Sequence, residues 1–212
     1  MKRRFINRLL AAALALSALL AMPAAHAGDE APDALIKRLS TDVLQAIKDD
    51  PVIQAGDTGR IVNLVDTRVM PNVNFQRMTA SAVGPGWRQA TPEQQKRLQD
   101  EFKILLVRTY SGALAQVSDQ TISIKPLRAA ADDAEVLVRT EIRGRGDPIQ
   151  LDYRLEKTPG QGAGWKIYNL NVLGVWLVET YRSQFSQEIN AKGIDGLIAT
   201  LAARNKSNAR KG

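Results

Sequence analysis

Residues 134–156 read AEVLVRTEIRGRGDPIQLDYRLE. Apolar and polar side chains alternate over residues 135–142 and again over residues 149–156, which is the period of a β-strand that buries one face. Asp147-Pro148 lies between the two runs and is typical of a turn. Two strands joined by so short a connection predict an antiparallel pair, and this pair is the centre of the predicted fold.

Two further runs extend the pair into a sheet. Residues 121–125 alternate in the same way before it, and residues 165–170 follow it after a turn that contains Gly160, Gly162 and Gly164. The short connections predict a four-stranded antiparallel meander. One face of these strands is apolar and the other is charged, which is typical of a sheet covered by helices on one side only.

Helical periodicity surrounds the strands. It predicts helices over residues 32–48, 58–70, 92–114 and 175–192, and short helices over residues 75–83 and after Asp195. Thr91-Pro92-Glu93-Gln94 marks the clearest helix start, because Thr at the N-cap and Gln at the third helical position form a capping box. The order of helices, strands and helices predicts one α+β domain over residues 28–203, with a curved sheet cupping several helices. Residues 204–212 are predicted to be a disordered basic tail.

The N-terminus has the features of a secretory signal peptide. Four basic residues precede an apolar run from Leu9 to Ala21, and Ala25-His26-Ala27 is a small-x-small cleavage site. The run is too short to span a bilayer, which takes roughly 20 residues. We therefore predict cleavage after Ala27 and export to the periplasm; an uncleaved anchor is the alternative, and export by the general secretory or the twin-arginine route stays open.

Cleavage changes the net charge of the chain and the set of side chains available for catalysis. The whole sequence has 29 Lys and Arg against 22 Asp and Glu, a net charge of +7, with one His and no Cys. Residues 1–27 hold four of the basic residues, no acidic residue and the single His26, so the remaining chain carries +3. Without His or Cys, Ser-His-Asp and Cys-His catalysis and His- or Cys-ligated metal sites are excluded. The modest charge, with no interleaved aromatic residues, also argues against a nucleic-acid partner.

A cup of this kind has two possible uses, which the composition does not separate. Its apolar faces are either plain core or the walls of a partly open site for an apolar ligand. An arginine group on and after the second strand, Arg139, Arg143 and Arg145, is likewise either a solvated sheet face or a docking patch for an acidic partner or lipid headgroups.

Several short motifs follow one another along the chain. They are Phe75-x-x-Met78, Gly84-x-x-Trp87-Arg88, Trp165-Lys166-Ile167-Tyr168-Asn169, Gly174-Val175, Tyr181-Arg182-x-x-Phe185 and Lys192-Gly193-Ile194-Asp195-Gly196-Leu197. In these motifs and their order, over nearly all of the chain after residue 27, the sequence resembles the toluene-tolerance (MlaC) family of periplasmic phospholipid-binding proteins.

The resemblance implies a nuclear-transport-factor-2-like cup with added helices. Acyl chains would lie in a deep cavity between sheet and helices, with the headgroup near solvent and no cofactor. It also implies a monomeric carrier that shuttles phospholipid between an outer-membrane complex of MlaA with a porin and an inner-membrane ABC transporter whose MCE-domain subunit is MlaD. Such transport maintains the lipid asymmetry of the outer membrane.

With the resemblance in place, the apolar stripes supply candidate lipid-binding residues. These are Phe102, Leu106, Tyr110, Ile149, Leu151, Tyr153, Ile167, Val175, Val178 and Tyr181. Two other functions stay open. One is an isomerase or hydratase on the same cup, with Asp152 or Asp66 as a base, although both are expected to face solvent. The other is a periplasmic chaperone that binds apolar protein segments.

Overall fold

The computed structural model describes residues 30–130 and 132–209, so the predicted signal peptide and its cleavage site lie outside the described residues. One antiparallel sheet follows the order of the chain. Its strands are β1 (Thr121–Ile124), β2 (Glu135–Arg143), β3 (Ile149–Lys157), β4 (Trp165–Val172) and β5 (Val175–Trp176). The predicted meander of the α+β fold is confirmed, and β5 adds a two-residue strand that the alternation was too short to reveal.

Six helices accompany the sheet in the described residues. They are α1 (Pro32–Lys48), α2 (Pro51–Gln54), α3 (Thr58–Leu64), α4 (Phe75–Val83), α5 (Pro92–Ala115) and α6 (Leu177–Asn208). The predicted capping box is present at α5, where Thr91 Oγ1 accepts from the Gln94 N–H at 3.2 Å and the Gln94 side chain accepts from the Thr91 N–H at 2.9 Å. Within residues 30–130 and 132–209, no helix combines the length and the apolar character that a membrane span requires.

The structure departs from the predicted helices in the first third of the chain. The helix predicted over residues 58–70 changes type after Leu64, with a π-turn over Val65–Val69 and a 3-10 turn over Met70–Asn72. The additional helix α2 begins where Asp50 accepts the backbone N–H groups of Val52 and Ile53, a local cap that replaces the missing first-turn hydrogen bonds.

The C-terminal prediction requires a correction. The tail predicted from residue 204 is instead helical as far as Asn208. The predicted break at Gly193 is confirmed, because its backbone is non-helical, with a φ of 70°, within the range Leu177–Asn208. Asn205 is buried, its side chain donates to the Glu101 carbonyl at 2.9 Å, and Arg108 donates to the Asn205 carbonyl. These contacts with α5 extend the helix through a sequence whose composition is that of a tail.

Three apolar clusters hold these elements together. The helical cluster joins α4, α5 and α6 around Phe102 and Phe185. The sheet cluster packs Leu35, Ile36 and Leu39 of α1 on the apolar face of the sheet, and a third cluster joins the end of α1 to α2, α3 and Val107 of α5. Phe102 is fully buried, with its ring centroid 4.9 Å from that of Tyr181 and 5.2 Å from that of Phe185.

A β-bulge in β4 changes which side chains face the helices. Arg154 of β3 is opposite Asn169, but the next residue, Leu155, is opposite Ile167, so Tyr168 is the extra residue. An extra residue reverses the alternation of side chains. Ile167 and Leu170 therefore lie on the same, apolar face, although a regular strand would place them on opposite faces.

Candidate functional site

The apolar face of the sheet is covered by different helices at its two ends. At one end α1 closes over Val136, Val138 and Leu155. At the other end Leu170 and Val172 of β4 pack, half-buried, against the helical cluster. The face is thus shared by two helical layers that belong to separate clusters.

Half-buried side chains line the place where the helical cluster meets the sheet. We call it the open end; its residues are Leu106 and Tyr110 of α5 and Leu151, Leu170 and Val172 of the sheet. Leu151 is opposite Val172 in the strand register, and Leu170 is opposite Tyr153. Leu106, Tyr110, Leu170 and Val172 pack against the helical cluster, and all five side chains are only partly covered by their neighbours.

Exposure increases further along the same strands. Ile149 is 40 % exposed and Val175, opposite Val172 in the register, is 50 % exposed. Leu173, in the turn between β4 and β5, is 65 % exposed. A run of apolar side chains from buried to exposed is the surface that an apolar ligand needs in order to enter from solvent.

The structure separates the ten predicted lipid-binding residues into three groups. Leu106, Tyr110, Leu151, Ile149 and Val175 form or adjoin the open end. Phe102, Val178 and Tyr181 lie in the buried helical cluster. Ile167 and Tyr153 belong to the sheet cluster beneath α1.

Sequence reasoning missed two residues of the open end, Leu170 and Val172. The bulge at Tyr168 turns them to the apolar face, whereas regular alternation from Ile167 would turn them away from it. One signal was available, because Asn169 and Asn171 occupy the positions where regular alternation would place apolar residues. Both asparagines are buried, where Asn169 accepts from the N–H of Val178 at the start of α6 and Asn171 from that of Gly174.

The tyrosines differ in how their hydroxyl groups are accommodated. Burial raises the pKa of Tyr153, and hydrogen bonds with Ser40 and Thr140 offset part of that shift. Burial also raises the pKa of Tyr181, with a hydrogen bond to Thr109 acting against it. The pKa of Tyr110 is raised by burial, then by the neighbouring Tyr181, and its hydroxyl has no hydrogen-bond partner among the described residues. Tyr110 therefore brings a neutral, unpartnered hydroxyl to the open end.

Ion pairs and stacked rings cover the charged face of the sheet. Arg77 of α4 bonds to Glu135 and Glu156 at 2.5 Å each, and its guanidinium lies 3.7 Å from the centroid of the Tyr168 ring. Arg154 pairs with Glu179 at 2.6 Å. Compensated in this way, the two arginines serve as fixed parts of the structure rather than as free cations.

The three arginines predicted as a docking patch do not form one cluster of free charges. Arg143 pairs with Glu141 at 2.8 Å and Arg145 with Asp119 at 3.2 Å. Arg139 is exposed and lies on the same face of β2 as Arg143. A docking role for them stays a prediction.

The two carboxylates considered as catalytic bases have different surroundings. The expectation that Asp152 faces solvent is wrong: it is 5 % exposed, its Oδ2 accepts from Gln150 at 2.7 Å, and its Oδ1 has no partner among the described residues. Burial follows from its place in the centre of β3, between β2 and β4. Asp66 accepts from Lys103 at 2.8 Å and is 42 % exposed at its side chain. Over residues 30–130 and 132–209, no three His, Cys, Asp or Glu residues form a group able to hold a metal ion.

Stability should be nearly independent of pH between about pH 5 and pH 8, the range in which histidine titrates. Residues 30–209 contain no His. Hydrogen bonds from Arg77 and then Tyr168 hold the pKa of Glu135 below its usual value. A lowered carboxyl pKa stabilises the fold above the usual value, and this contribution is lost as the pH falls through the lowered pKa. Thermal unfolding should therefore show a flat melting temperature at neutral pH and a decrease in acid.

Glu135→Gln tests the acid limb of this prediction. The variant should lose stability at neutral pH and show a shallower fall of the melting temperature in acid, because one carboxylate with a lowered pKa is gone. Asp100→Gln is the control, since Asp100 pairs only with Lys96 on the exposed side of α5. A melting temperature of the unmodified protein that changes steeply between about pH 6 and pH 8 would contradict the predicted independence of stability from pH.

Comparison with known proteins gives consistent matches. The sequence model of the MlaC protein family matches residues 37–203. A toluene tolerance protein of Pseudomonas putida, ttg2D, is 26% identical over 180 residues, covering 84% of this chain and 81% of the relative. The MlaC binding protein of the intermembrane phospholipid transport system of Haemophilus influenzae is 26% identical over 147 residues, 68% of either chain.

A solved structure extends the similarity to three dimensions. The phospholipid-binding protein of Ralstonia solanacearum, solved in complex with a phospholipid, is 47% identical and superposes with a TM-score of 0.80. The alignment covers 84% of this chain and 98% of that protein.

Proposed function

The chain belongs to the MlaC family, and from that premise we propose that it binds a phospholipid whose acyl chains enter the open end between sheet and helices. The observation that carries the proposal is the partial burial of five apolar side chains, those of Leu106 and Tyr110 on the helical cluster and of Leu151, Leu170 and Val172 on the apolar face of the sheet. The phospholipid in the structure of the Ralstonia solanacearum relative supports it.

The physical requirement on such a site is large but chemically simple. Exposing one methylene to water costs about 0.8 kcal/mol, so two acyl chains of about 14 methylenes each cost about 20 kcal/mol. Branched aliphatic and aromatic walls meet this requirement by contact alone. The exposed Ile149 and Val175 extend the walls towards solvent, where a polar headgroup keeps its hydration.

Tyr110 supplies a polar contact at the entrance. Its hydroxyl has no hydrogen-bond partner among the described residues. It is neutral at physiological pH, as an ordinary tyrosine is, and burial raises its pKa further. A neutral donor suits the ester and glycerol oxygens that lie between acyl chains and headgroup. In this proposal Tyr110 fixes the depth to which the lipid enters.

We further propose that the protein carries this lipid across the periplasm between an outer-membrane MlaA–porin complex and an inner-membrane transporter with an MlaD subunit. The name of the Haemophilus influenzae relative, a binding protein of an intermembrane phospholipid transport system, supports a carrier. A carrier also suits the composition of the proposed site, whose side chains are aliphatic apart from that of Tyr110. The alternatives, catalysis at Asp152 and binding of unfolded protein segments, make different predictions for the bound molecule.

Native mass spectrometry tests the bound molecule directly. The protein, exported to the periplasm of a Gram-negative host and purified without detergent, should carry phospholipid at about one molecule per chain. Organic extraction should remove the added mass, and the extract should contain phospholipid. Protein that is empty, or that carries peptides in place of lipid, would contradict the proposal. The mass of the protein also reports whether residues 1–27 have been removed.

A further inference from the structure

A concave surface lies outside the open end, between α4, the turn over Gly84–Arg88 and α6. It is a groove of about 510 Å³ whose cationic lining residues are Arg77, Arg88 and Arg182. None of the residues that line it is acidic. A smaller concavity of about 160 Å³ adjoins it through Ser81 and Arg182. We call the larger one the arginine groove.

Two of its three arginines are not compensated by carboxylates. Arg77 bonds to Glu135 and Glu156, so its charge is neutralised locally. Arg182 donates through Nε to the Ser81 carbonyl at 2.8 Å, a neutral acceptor. Arg88 has no ion pair and no hydrogen bond within the described residues. The groove therefore presents the unneutralised charges of Arg88 and Arg182, and the bond to Ser81 holds the second of them in place.

The wall that carries Arg88 is closely packed against α6. Gly84 has a φ of 69°, a conformation that a residue with a side chain rarely adopts, and the ring of Pro85 fixes the φ of Pro85 itself. A Cβ on Gly86 would lie 3.1 Å from Ile194 and 3.2 Å from Ile189, so the turn packs closely on α6. A binding surface that is fixed before its ligand arrives loses little conformational entropy on binding.

The arginine groove and the open end share no residue, because the groove is lined only by α4, the turn over Gly84–Arg88 and α6. The smaller concavity reaches Arg154 and Asn169, which are register neighbours on the charged face. Leu170 and Val172 of the open end point to the apolar face. The cationic groups are therefore separate from the surface proposed to hold the lipid, which favours an anionic ligand other than the cargo's headgroup.

We propose that the arginine groove docks an acidic segment of a protein partner. Side-chain carboxylates would bond to the guanidinium groups of Arg88 and Arg182, and the half-buried Trp87 supplies an apolar wall beside them. Docking in this groove leaves the open end uncovered, as transfer of a lipid between carrier and partner requires. The inference rests on the proposed carrier function only for that last point.

A hexaglutamate peptide with blocked ends is the probe. Titrated into the ¹⁵N-labelled full mature chain at low ionic strength, it should shift the resonances of Ser81, Gly84, Trp87 and Ser186 while those around Leu151 and Val172 stay in place. The variant R88Q/R182Q should bind the peptide about tenfold more weakly or worse, since it loses charge-assisted hydrogen bonds. Arg88→Gln alone, whose side chain has no bond to lose among the described residues, tests the same effect with the least risk to folding.

The control variant R68Q/R128Q removes the same charge from two exposed arginines that line neither concavity. It should retain the affinity of the unmodified chain. An equal loss of peptide affinity in both double variants would show that binding depends on net charge alone, and would overturn the proposal. Vesicles of phosphatidylcholine and phosphatidylglycerol that shift the groove resonances when the peptide does not would overturn it in favour of a membrane surface.

Native mass spectrometry of the same samples keeps the two proposals apart. Lipid bound to R88Q/R182Q at the level of the unmodified chain, with the peptide affinity reduced, is the expected pattern. Protein without lipid that still binds the peptide in the groove would refute the lipid site and support the groove. Protein that carries lipid but shows no shifts at the groove residues would refute the groove proposal and support the lipid site.

Discussion

Replacing Leu106 by glutamate should leave the protein folded and abolish its retention of phospholipid. Leu106 is half-buried at the open end, so a carboxylate there can keep part of its hydration while the site is empty. An acyl chain against the same carboxylate would remove that hydration, at an effective cost of several kcal/mol. We expect at least about a hundredfold weaker binding, measured as the loss of the lipid-bound mass after purification and of reloading from labelled lipid.

Val62→Glu is the matched control for this experiment. Val62 is also a half-buried helical residue, but it packs on the third cluster, with α2 and α3. Its variant should keep the bound lipid even if its melting temperature falls. Equal retention of lipid by both variants would show that the acyl chains do not lie at the open end. Val178→Glu is unsuitable, since Val178 is buried in the helical cluster and a charge there would disrupt the fold itself.

Phe102→Ala should reduce the free energy of unfolding by about 3–5 kcal/mol. The Phe102 ring is fully buried among three other aromatic rings, those of Phe75, Tyr181 and Phe185. Because it joins α4, α5 and α6, the space left by its removal cannot be refilled by one neighbour. Equilibrium unfolding in urea measures the loss.

Val52→Ala is the control for Phe102→Ala, because it truncates an exposed side chain and measures the change in the free energy of unfolding outside the core. Val52 is 48 % exposed on α2, and its truncation should change the free energy of unfolding by less than about 0.5 kcal/mol. A loss below about 1 kcal/mol for Phe102→Ala would mean that the helical cluster relaxes around the missing ring, and would contradict its place at the centre of the core.

Much of the fold could be predicted from local chemistry. The helix over Phe75–Val83 was predicted with the bounds that the structure has, and Thr91 with Gln94 predicted the start of α5. These signals act over a few residues, where caps, prolines and side-chain periodicity determine the backbone directly. The antiparallel order of the strands was also predictable from the sequence, because short connections require consecutive strands to lie next to each other.

The candidate site was predictable only in part. Leu106, Tyr110 and Leu151 were found because α5 and β3 are regular and keep their period. Leu170 and Val172 were missed because one extra residue, Tyr168, reverses the alternation of β4. A bulge depends on how two strands pair, and pairing is a property of residues distant in sequence.

The arginine groove shows that the sequence alone does not predict which charged side chains lack a partner. Counting residues drew attention to Arg139, Arg143 and Arg145, which follow one another along the chain. In the structure Arg143 and Arg145 are paired with carboxylates, whereas Arg88 and Arg182, 94 residues apart, share one groove without any. Whether a charge is free depends on which partners the fold brings to it.

By itself, the sequence determined the class of the domain, its family and the absence of His and Cys after residue 27, since each of these depends on residue identity and on patterns of a few residues. Only the tertiary structure decided which apolar side chains remain half-covered, where α6 ends and which arginines lack a partner. These properties depend on the bulge in β4, on the contacts of Asn205 with α5 and on the packing of the turn at Gly86 against α6. Each is an interaction between segments far apart in the chain, so it forms, and contributes to stability, only in the folded state.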